Sequence, residues 1–355
     1  MAYVTYVLSN AALLNDVVPA EVKHGEFIFI AVISLLRQPK RSLLATAMAL
    51  PIALIYALGE LWPYAAMVFV FAMSLPIIWD GVLSLVDRRD YRFLLALAFI
   101  AMFPAFLSLP TLLDEGLFDT TYGRPRMLLG YFHPKETAIS FAVPILLLML
   151  MSSRSASGIP WFLGCIFLWL VGSRNIALML ILGWALRWHG RWVLVVLLAA
   201  IPLLMLWLFL NNDWYGTIDD LMSLRLSMWT DVLRTSNILD KQNINSGDRF
   251  GADNFFVEAF FISGPPALAL IFLWVVVVGL VLRLRGQSSL WPRVSFVMLI
   301  FIASFDSGIA STGNIMHVLL WANILSPLFY RRPIQQSIHM SIKSKERMTV
   351  ATASS

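Results

Sequence analysis

The chain has 355 residues, of which 59% are hydrophobic and only 13% are charged, and its formal net charge is +5. A soluble domain usually carries about 25% charged residues, so this composition predicts an integral membrane protein and argues against an ordinary soluble enzyme. The basic residues are scattered among loops rather than gathered on one soluble face, so we expect no nucleic-acid partner.

Runs of roughly 17–25 mostly apolar residues are long enough to cross a bilayer. The sequence contains about eleven such candidates and predicts one all-α membrane domain over residues 1–355. In chain order the predicted spans are 26–36, 42–58, 62–86, 92–113, 137–153, 159–171, 173–187, 192–210, 255–282, 292–307 and 314–330. The first is short, and the pair between 159 and 187 shares one turn at Gly172-Ser173.

The placement of lysine and arginine predicts the orientation, because cytoplasmic loops are enriched in these residues. If the connection after the first span is cytoplasmic, most of the 26 Lys and Arg residues fall on the cytoplasmic side. This orientation gives external loops at 114–136 and 211–252, the second of them partly helical, and a basic cytoplasmic tail at 331–355. The external side therefore has the longer loops and is where we expect a site.

The first external loop contains the stretch "GRPRMLLGYFHPKE". Arg124 and Arg126 flank a proline, and His133 comes directly before Pro134. Proline suits the first turn of a helix, so His133 is expected near the N-terminus of the next span. The arginines are interpreted either as ligands for an anion or as loop charges that contact lipid head groups.

The stretch "GSRN" begins the span at 173–187. Ser173 can cap this helix, and Arg174 falls in its first turn, where a cation adds to the positive end of the helix dipole. An anion docked on the helix N-terminus would offset that cost. The alternative is an interfacial arginine that extends towards lipid head groups.

In the long external loop, "GTIDDLMSLRLSMWTDVLRTSNIL" has apolar residues at helical spacing, and Arg225 falls inside that stripe. An arginine on a buried face needs an anionic partner. That partner is either Asp253 or another protein carboxylate, or the phosphate of a substrate.

The stretch "DNFFVEAFFISGPPAL" follows the long loop. Asp253 and Asn254 can cap the next helix, and Glu258 lies one turn later. A carboxylate within a span usually lines an interior cavity, whereas Glu258 could instead form an ion pair. Gly264-Pro265-Pro266 predicts a kink or break.

Several features argue against a metal or cofactor site. No His, Asp and Glu cluster has the spacing of metal ligands, and no phosphate-binding loop or dinucleotide motif is present. The single Cys165 cannot form a cysteine metal site. Asp306 and His317 are weaker site candidates near the external ends of the last two spans, and Asp80 is interpreted as structural.

Three helices, beginning near 137, 173 and 254, are predicted to present their N-termini to the external side. Arginines near those ends suit a substrate that is a lipid-linked diphosphate, because a guanidinium group binds phosphate oxygens in pairs. Transfer of a sugar from such a donor needs a cationic clamp on the departing diphosphate and a base for the proton of the acceptor hydroxyl.

The order of these motifs resembles the bacterial O-antigen polymerase and O-antigen ligase superfamily over about residues 25–330. The resemblance implies a glycosyltransferase of the C-type membrane fold in the bacterial inner membrane, with its active site facing the periplasm. It also implies an undecaprenyl-pyrophosphate-linked glycan as donor and as acceptor, the membrane lipid as surroundings, and no metal or cofactor. A chain-length regulator is a further partner that the resemblance leaves open.

By motif position, the resemblance implies that Arg124 or Arg126, Arg174 and Arg225 bind the pyrophosphate. Ligases commonly have His-Asn where this chain has Asp253-Asn254, and this departure favours a polymerase. His133 or Asp253 is then the expected base, with Glu258 as a further catalytic candidate. The alternatives are a ligase that transfers glycan to lipid A-core and, outside the enzymes, a flippase or transporter of lipid-linked oligosaccharide. A transporter should have inverted repeats and charges across the midplane of its spans.

Overall fold

The computed structural model of the chain describes residues 2–14, 21–88, 90–111, 118–119, 126–127, 129–131, 134–151, 158–187, 190, 254–285, 290–305, 309–310 and 314–329. This part of the chain is almost entirely helical. The helices are α1 (Ala2–Asn10), α2 (Glu21–Arg37), α3 (Pro39–Leu58), α4 (Trp62–Arg88), α5 (Tyr91–Leu107), α6 (Pro134–Met151), α7 (Gly158–Leu170), α8 (174–187), α9 (Phe255–Ser263), α10 (Pro265–Arg285), α11 (Trp291–Ala303) and α12 (Ile315–Phe329). A 3-10 turn follows α1 at Ala12–Leu14, and a short antiparallel ribbon pairs β1 (Phe118–Asp119) with β2 (Arg126–Met127).

Each predicted span that falls on described residues corresponds to helix. The span predicted at 26–36 is part of the longer α2, whereas α5 ends at Leu107, short of the predicted 113. The span predicted at 255–282 is two helices rather than one, because the chain breaks at Gly264, whose φ is +66°. The predicted break at Gly264-Pro265-Pro266 is therefore confirmed. The span predicted at 192–210 lies outside the described residues.

Three of the described helices are long and apolar enough to cross a membrane: Pro39–Leu58, Trp62–Val86 and Pro265–Leu284. Shorter apolar helices accompany them, so the architecture is compatible with an all-α membrane protein. A total of eleven spans, a C-type glycosyltransferase fold and a single domain over 1–355 stay predictions. The long loop 211–252 and the tail 331–355 lie outside the described residues.

The core is built around α12. Every residue from Asn314 to Leu325 is buried, and α12 packs against α11, α4, α6, α10 and α3. The ring of Trp321 lies 5.4 Å from that of Trp274 on α10 and 6.0 Å from that of Phe71 on α4. These aromatic contacts join helices that are distant in sequence.

The turn between α7 and α8 is the one predicted at Gly172-Ser173. Gly172 has a φ of +86°, a conformation that glycine adopts without strain. The Ser173 amide donates to the Leu168 carbonyl at 3.2 Å, and the Gly172 amide donates to the Trp169 carbonyl at 3.0 Å. This pair of bonds is a Schellman motif, which ends α7 and places Arg174 in the first turn of α8.

Helix α1 is absent from the predicted spans because its nine residues are too short to cross a membrane. It nevertheless packs in the core, with Tyr3, Tyr6 and Val7 buried. The Tyr3 hydroxyl lies 2.6 Å from the Ser140 carbonyl oxygen of α6 and 3.3 Å from that of Leu97. Pro144 has no N–H to offer the Ser140 carbonyl four residues before it, so Tyr3 supplies a donor that α6 lacks.

The end of the loop that is predicted to be external at 114–136 is held against α1 and α5. The Ala12 amide donates to the Gly130 carbonyl at 2.8 Å, and Ala11 and Tyr131 form an antiparallel bridge. The buried Tyr131 hydroxyl donates to the Ala101 carbonyl of α5 at 2.8 Å. The segment 129–131 is therefore part of the packed structure.

We predict that Gly130→Ala lowers the free energy of unfolding by about 1–3 kcal/mol, as overpacking does. Gly130 has a φ of +76°, and a Cβ there would overlap the Pro104 carbonyl and lie 2.6 Å from Ser108 Oγ. Thermal unfolding in detergent measures the change. The control is Gly279→Ala in α10, where a Cβ meets nothing within 4 Å. An equal loss in both variants would contradict the prediction.

Candidate functional site

Side-chain contacts show which helix ends lie together at one end of the bundle. Arg187, in the last turn of α8, donates to the Met149 carbonyl near the end of α6, and its guanidinium lies 4.6 Å from the ring centre of Trp291 at the start of α11. Arg293 Nη2 donates to the Leu282 carbonyl near the end of α10 at 3.5 Å. We call this the basic end. Ser263, next to the start of α10, donates to the Ile55 carbonyl near the end of α3, and α10 packs on α3, so α3 begins where α10 ends. Described residues with basic side chains at this end are Arg37, Lys40, Arg41, Arg88, Arg92, Arg187, Arg283 and Arg293.

Asp80 belongs to a polar network at the basic end. Its carboxylate accepts a hydrogen bond from the Gln38 side chain and lies 3.6 Å from Arg41 Nη1, which also donates to Gln38 Oε1 at 3.2 Å. This network ties the α2–α3 turn to α4. The structural interpretation of Asp80 is therefore confirmed.

The opposite end of the bundle, which we call the capped end, contains the N-termini of α6, α8, α9 and α12. The C-termini of α6 and α8 meet at the basic end, so their N-termini share the other one. Asn254, which caps α9, donates through Nδ2 to the Ser304 carbonyl after α11 at 3.0 Å. The N-termini near 137, 173 and 254 therefore lie at the same end, whereas the external orientation of that end stays a prediction.

The two asparagines of the capped end satisfy backbone N–H groups that a helix N-terminus leaves without partners. Asn254 Oδ1 accepts from the amides of Phe256 at 2.9 Å and Val257 at 3.2 Å. Asn314 Oδ1 accepts from the amides of Met316 at 3.1 Å and His317 at 3.3 Å. The predicted capping by Asn254 is thus observed.

His317 is only 1% exposed, and its Nε2 lies 3.3 Å from Asn314 Nδ2. His317, which the sequence indicated as a weaker site candidate, is therefore a buried residue in the first turn of α12. Its accessibility in this structure is that of a core residue, so we do not assign it a contact with substrate.

Arg174 is partly exposed in the first turn of α8, as predicted, and its guanidinium lies 5.5 Å from the ring centre of Trp169. A guanidinium at this distance is attracted to the electron-rich face of the indole. A guanidinium group can also bind an oxyanion through pairs of N–H donors. The binding of an anion by Arg174 stays a prediction.

Two other predicted site residues are described in part or in full. Glu258 is partly buried in the first turn of α9, where its amide donates to the Asn254 carbonyl at 2.9 Å. Arg126 lies in β2, and its backbone pairs with that of Asp119. Glu258 and Arg174 are both at the capped end of the bundle.

The remaining predicted residues, Arg124, His133, Arg225 and Asp253, lie outside the described residues. Helix α6 begins at Pro134, so His133 directly precedes it, as predicted. Convergence of the four arginines stays a prediction. Within the described ranges, no group of three or more His, Cys, Asp or Glu residues is placed to hold a metal ion.

Sequence reasoning missed one polar cluster at the capped end. The Tyr6 hydroxyl donates to Glu136 Oε2 in the first turn of α6. Burial raises the pKa of the nearby Tyr131 hydroxyl, and the negative charge of Glu136 adds to the rise. The spacing of Tyr3 and Tyr6 on one face of a short helix was the available signal, but α1 is too short to be predicted as a span.

Searches against protein-family models, curated proteins and solved structures return no match to this chain. The resemblance of the motifs to the O-antigen polymerase and ligase superfamily stays a prediction.

We predict that Asn254→Ala lowers the free energy of unfolding by about 1–2 kcal/mol, because it removes both the cap of α9 and the bond to Ser304. Asn254→Ser keeps a capping oxygen and loses the bond to Ser304, so its loss should be smaller. Unfolding of the purified protein in mixed micelles compares the two. Equal losses would show that the cap contributes nothing.

Tyr131 should make stability depend on alkaline pH. A pKa raised by folding stabilises the fold fully below the unfolded pKa of about 10, and this contribution is lost as the pH rises further. Tyr131→Phe should therefore weaken the fall in thermal midpoint between about pH 10 and about pH 12. Burial also raises the pKa of Tyr3, so the variant should keep part of the dependence of stability on pH. An unchanged pH profile would contradict the prediction.

Proposed function

We propose that the chain is a polysaccharide polymerase of the O-antigen type in the bacterial inner membrane. It transfers a glycan from a lipid diphosphate to the non-reducing end of a second lipid-linked repeat unit on the periplasmic side. The donor and acceptor are undecaprenyl-pyrophosphate-linked glycans, and the reaction uses no metal or cofactor. The proposal rests on the motif resemblance together with the arrangement of charge in the bundle.

The chemistry is a glycosyl transfer in which the acceptor hydroxyl oxygen bonds to the anomeric carbon of the donor. The bond from that carbon to the diphosphate oxygen breaks, and its electron pair leaves with the diphosphate. The proton of the acceptor hydroxyl passes to a base, for which His133 or Asp253 is proposed, with Glu258 as a further candidate. Cationic donors that stabilise the departing diphosphate lower the barrier.

One observation supports the proposal most directly. The N-termini of α6, α8 and α9 share the capped end, and Arg174 lies in the first turn of α8 with its guanidinium 5.5 Å from the ring centre of Trp169. Helix N-termini and an arginine at the same end together favour a diphosphate. In this proposal Arg174 and Arg225 bind the pyrophosphate, and Arg124 or Arg126 assists.

The separation of charge in the bundle supports the proposed orientation of the site. The basic end matches the cytoplasmic side by the positive-inside rule, so the capped end is assigned to the periplasm. A lipid-linked diphosphate presented there needs no nucleotide, which agrees with the lack of a nucleotide-binding motif in the sequence.

We predict that Arg174→Ala reduces polymerisation by roughly 10²-fold, the cost of losing one donor to a developing charge. In cells the surface polymer should shorten to single repeats while the protein still inserts in the membrane. Arg225→Ala should have the same effect. The length distribution of surface glycan on gels measures the outcome.

The matched control is Arg293→Ala, which removes a partly engaged arginine from the basic end. It should leave the polymer length unchanged. Full-length polymer from both Arg174→Ala and Arg225→Ala would reject the proposed diphosphate clamp. Immunoblots of the membrane fraction establish that each variant is inserted at the level of the parent protein.

A second experiment separates the alternatives. Purified protein given only lipid-diphosphate repeat units should form polymer and release the lipid diphosphate. Movement of the substrate across vesicles without new glycosidic bonds would instead support a transporter. In cells, loss of a polymerase leaves single-repeat caps on lipid A-core, whereas loss of a ligase leaves none.

A further inference from the structure

Helix α1 makes three contacts along one line, each at a different height of α6 and of the segment that precedes it. Deepest in the bundle, the Tyr3 hydroxyl contacts the Ser140 carbonyl. One turn later the Tyr6 hydroxyl donates to the Glu136 carboxylate. Beyond the helix, Ala11 and Ala12 pair with Tyr131 and Gly130. The short helix therefore runs antiparallel to α6. Its contacts reach the first turn of α6 and the segment 129–131 that precedes it.

We infer that Tyr6 is a positioning residue, which holds the Glu136 carboxylate and so fixes the first turn of α6 at the proposed site. This inference rests on the proposed function for its effect on transfer, because "GYFHPKE" is one of the motifs assigned to the site. The contacts themselves do not depend on that function.

Burial makes the Tyr6–Glu136 bond costly to break. The Tyr6 side chain is only 2% exposed, and Glu136 is partly buried. A buried carboxylate that loses a protein donor is costly to leave without one. Glu136 also lies in the first turn of α6, where the helix dipole favours a negative charge. The bond to Tyr6 therefore favours a carboxylate that stays directed towards α1.

The other end of the same stretch is fixed by backbone geometry. Leu129 and Gly130 have φ angles of +51° and +76°, and the Gly130 backbone lies against the Pro104 carbonyl. The Tyr131 hydroxyl bonds to α5. Segment 129–131 and the first turn of α6 are thus anchored on either side of residues 132–133, one by backbone packing and the other by Tyr6.

The simpler interpretation is that α1 only fills the core, and Tyr3 provides the matched control. Both tyrosines are buried on the same helix and each loses one hydroxyl when replaced by Phe. Tyr3 bonds to a backbone carbonyl inside α6, whereas Tyr6 bonds to a side chain at its first turn. If α1 only fills the core, both replacements should lower stability and leave kcat unchanged.

The experiment compares Tyr3→Phe, Tyr6→Phe, Glu136→Ala and the Tyr6→Phe/Glu136→Ala pair in the full-length protein. We expect Tyr6→Phe to lower kcat for polymerisation by roughly 10–100-fold with KM nearly unchanged, because a misplaced group costs the chemical step more than binding. Tyr3→Phe should lower the thermal midpoint and leave kcat unchanged. The pair should be no worse than the poorer single variant, as expected for two groups that act through one bond.

Hydrogen exchange gives a readout that needs no activity. Peptides covering residues 8–14 and 128–137 should exchange faster in Tyr6→Phe than in Tyr3→Phe, because only the former releases the first turn of α6. Slow exchange in Tyr6→Phe, or additive losses in the pair, would overturn the positioning role.

The two proposals fail differently. If the parent protein forms no polymer from lipid-diphosphate repeats, the proposed function is rejected, and the exchange measurement still decides the role of Tyr6. If the parent protein polymerises and Tyr6→Phe keeps its kcat, only the positioning role is rejected.

Discussion

Backbone polar groups in apolar surroundings must find partners within the protein, and this constraint governs the arrangement of the bundle. Prolines lie inside α3, α4, α5, α6 and α12, and each removes one N–H from its helix. Pro144 leaves the Ser140 carbonyl without its helical N–H donor, and the Tyr3 hydroxyl of α1 donates to that carbonyl instead. Tyr3 lies on the short α1, which is packed in the core, and Tyr6 one turn later donates to Glu136.

The two ends of the bundle satisfy helix termini by different chemistry. At the capped end, asparagine oxygens accept from the first amides of α9 and α12. At the basic end, Arg187 and Arg293 donate to carbonyls near the ends of α6 and α10, where the helix dipole favours a cation. The bundle is therefore electrically polar along its length. Arg174 is a cation in the first turn of a helix at the capped end, where it adds to the positive end of the dipole, as Arg293 does in α11 at the basic end.

The candidate site could be predicted from sequence only in its local features. The turn before Arg174, the cap by Asn254, the break at Gly264 and the start of α6 after His133 all depend on a few neighbouring residues, and the structure contains each of them. The cluster of Tyr6, Glu136 and Tyr131 depends on partners more than a hundred residues apart for Tyr6 and Glu136. No periodicity within either segment indicates that pairing, so it could not be read from the sequence.

The sequence by itself determined the helical class, the positions of the apolar helices and the separation of positive charge, because run length, turn residues and loop composition act locally. Only the tertiary structure decided that α1 is a buried helix, that segment 129–131 is packed against α5, and that Asp80 is neutralised by Arg41. These outcomes depend on which distant groups can satisfy one another's hydrogen bonds and charges. That choice is made when the helices pack together, since only then do the competing partners come within reach.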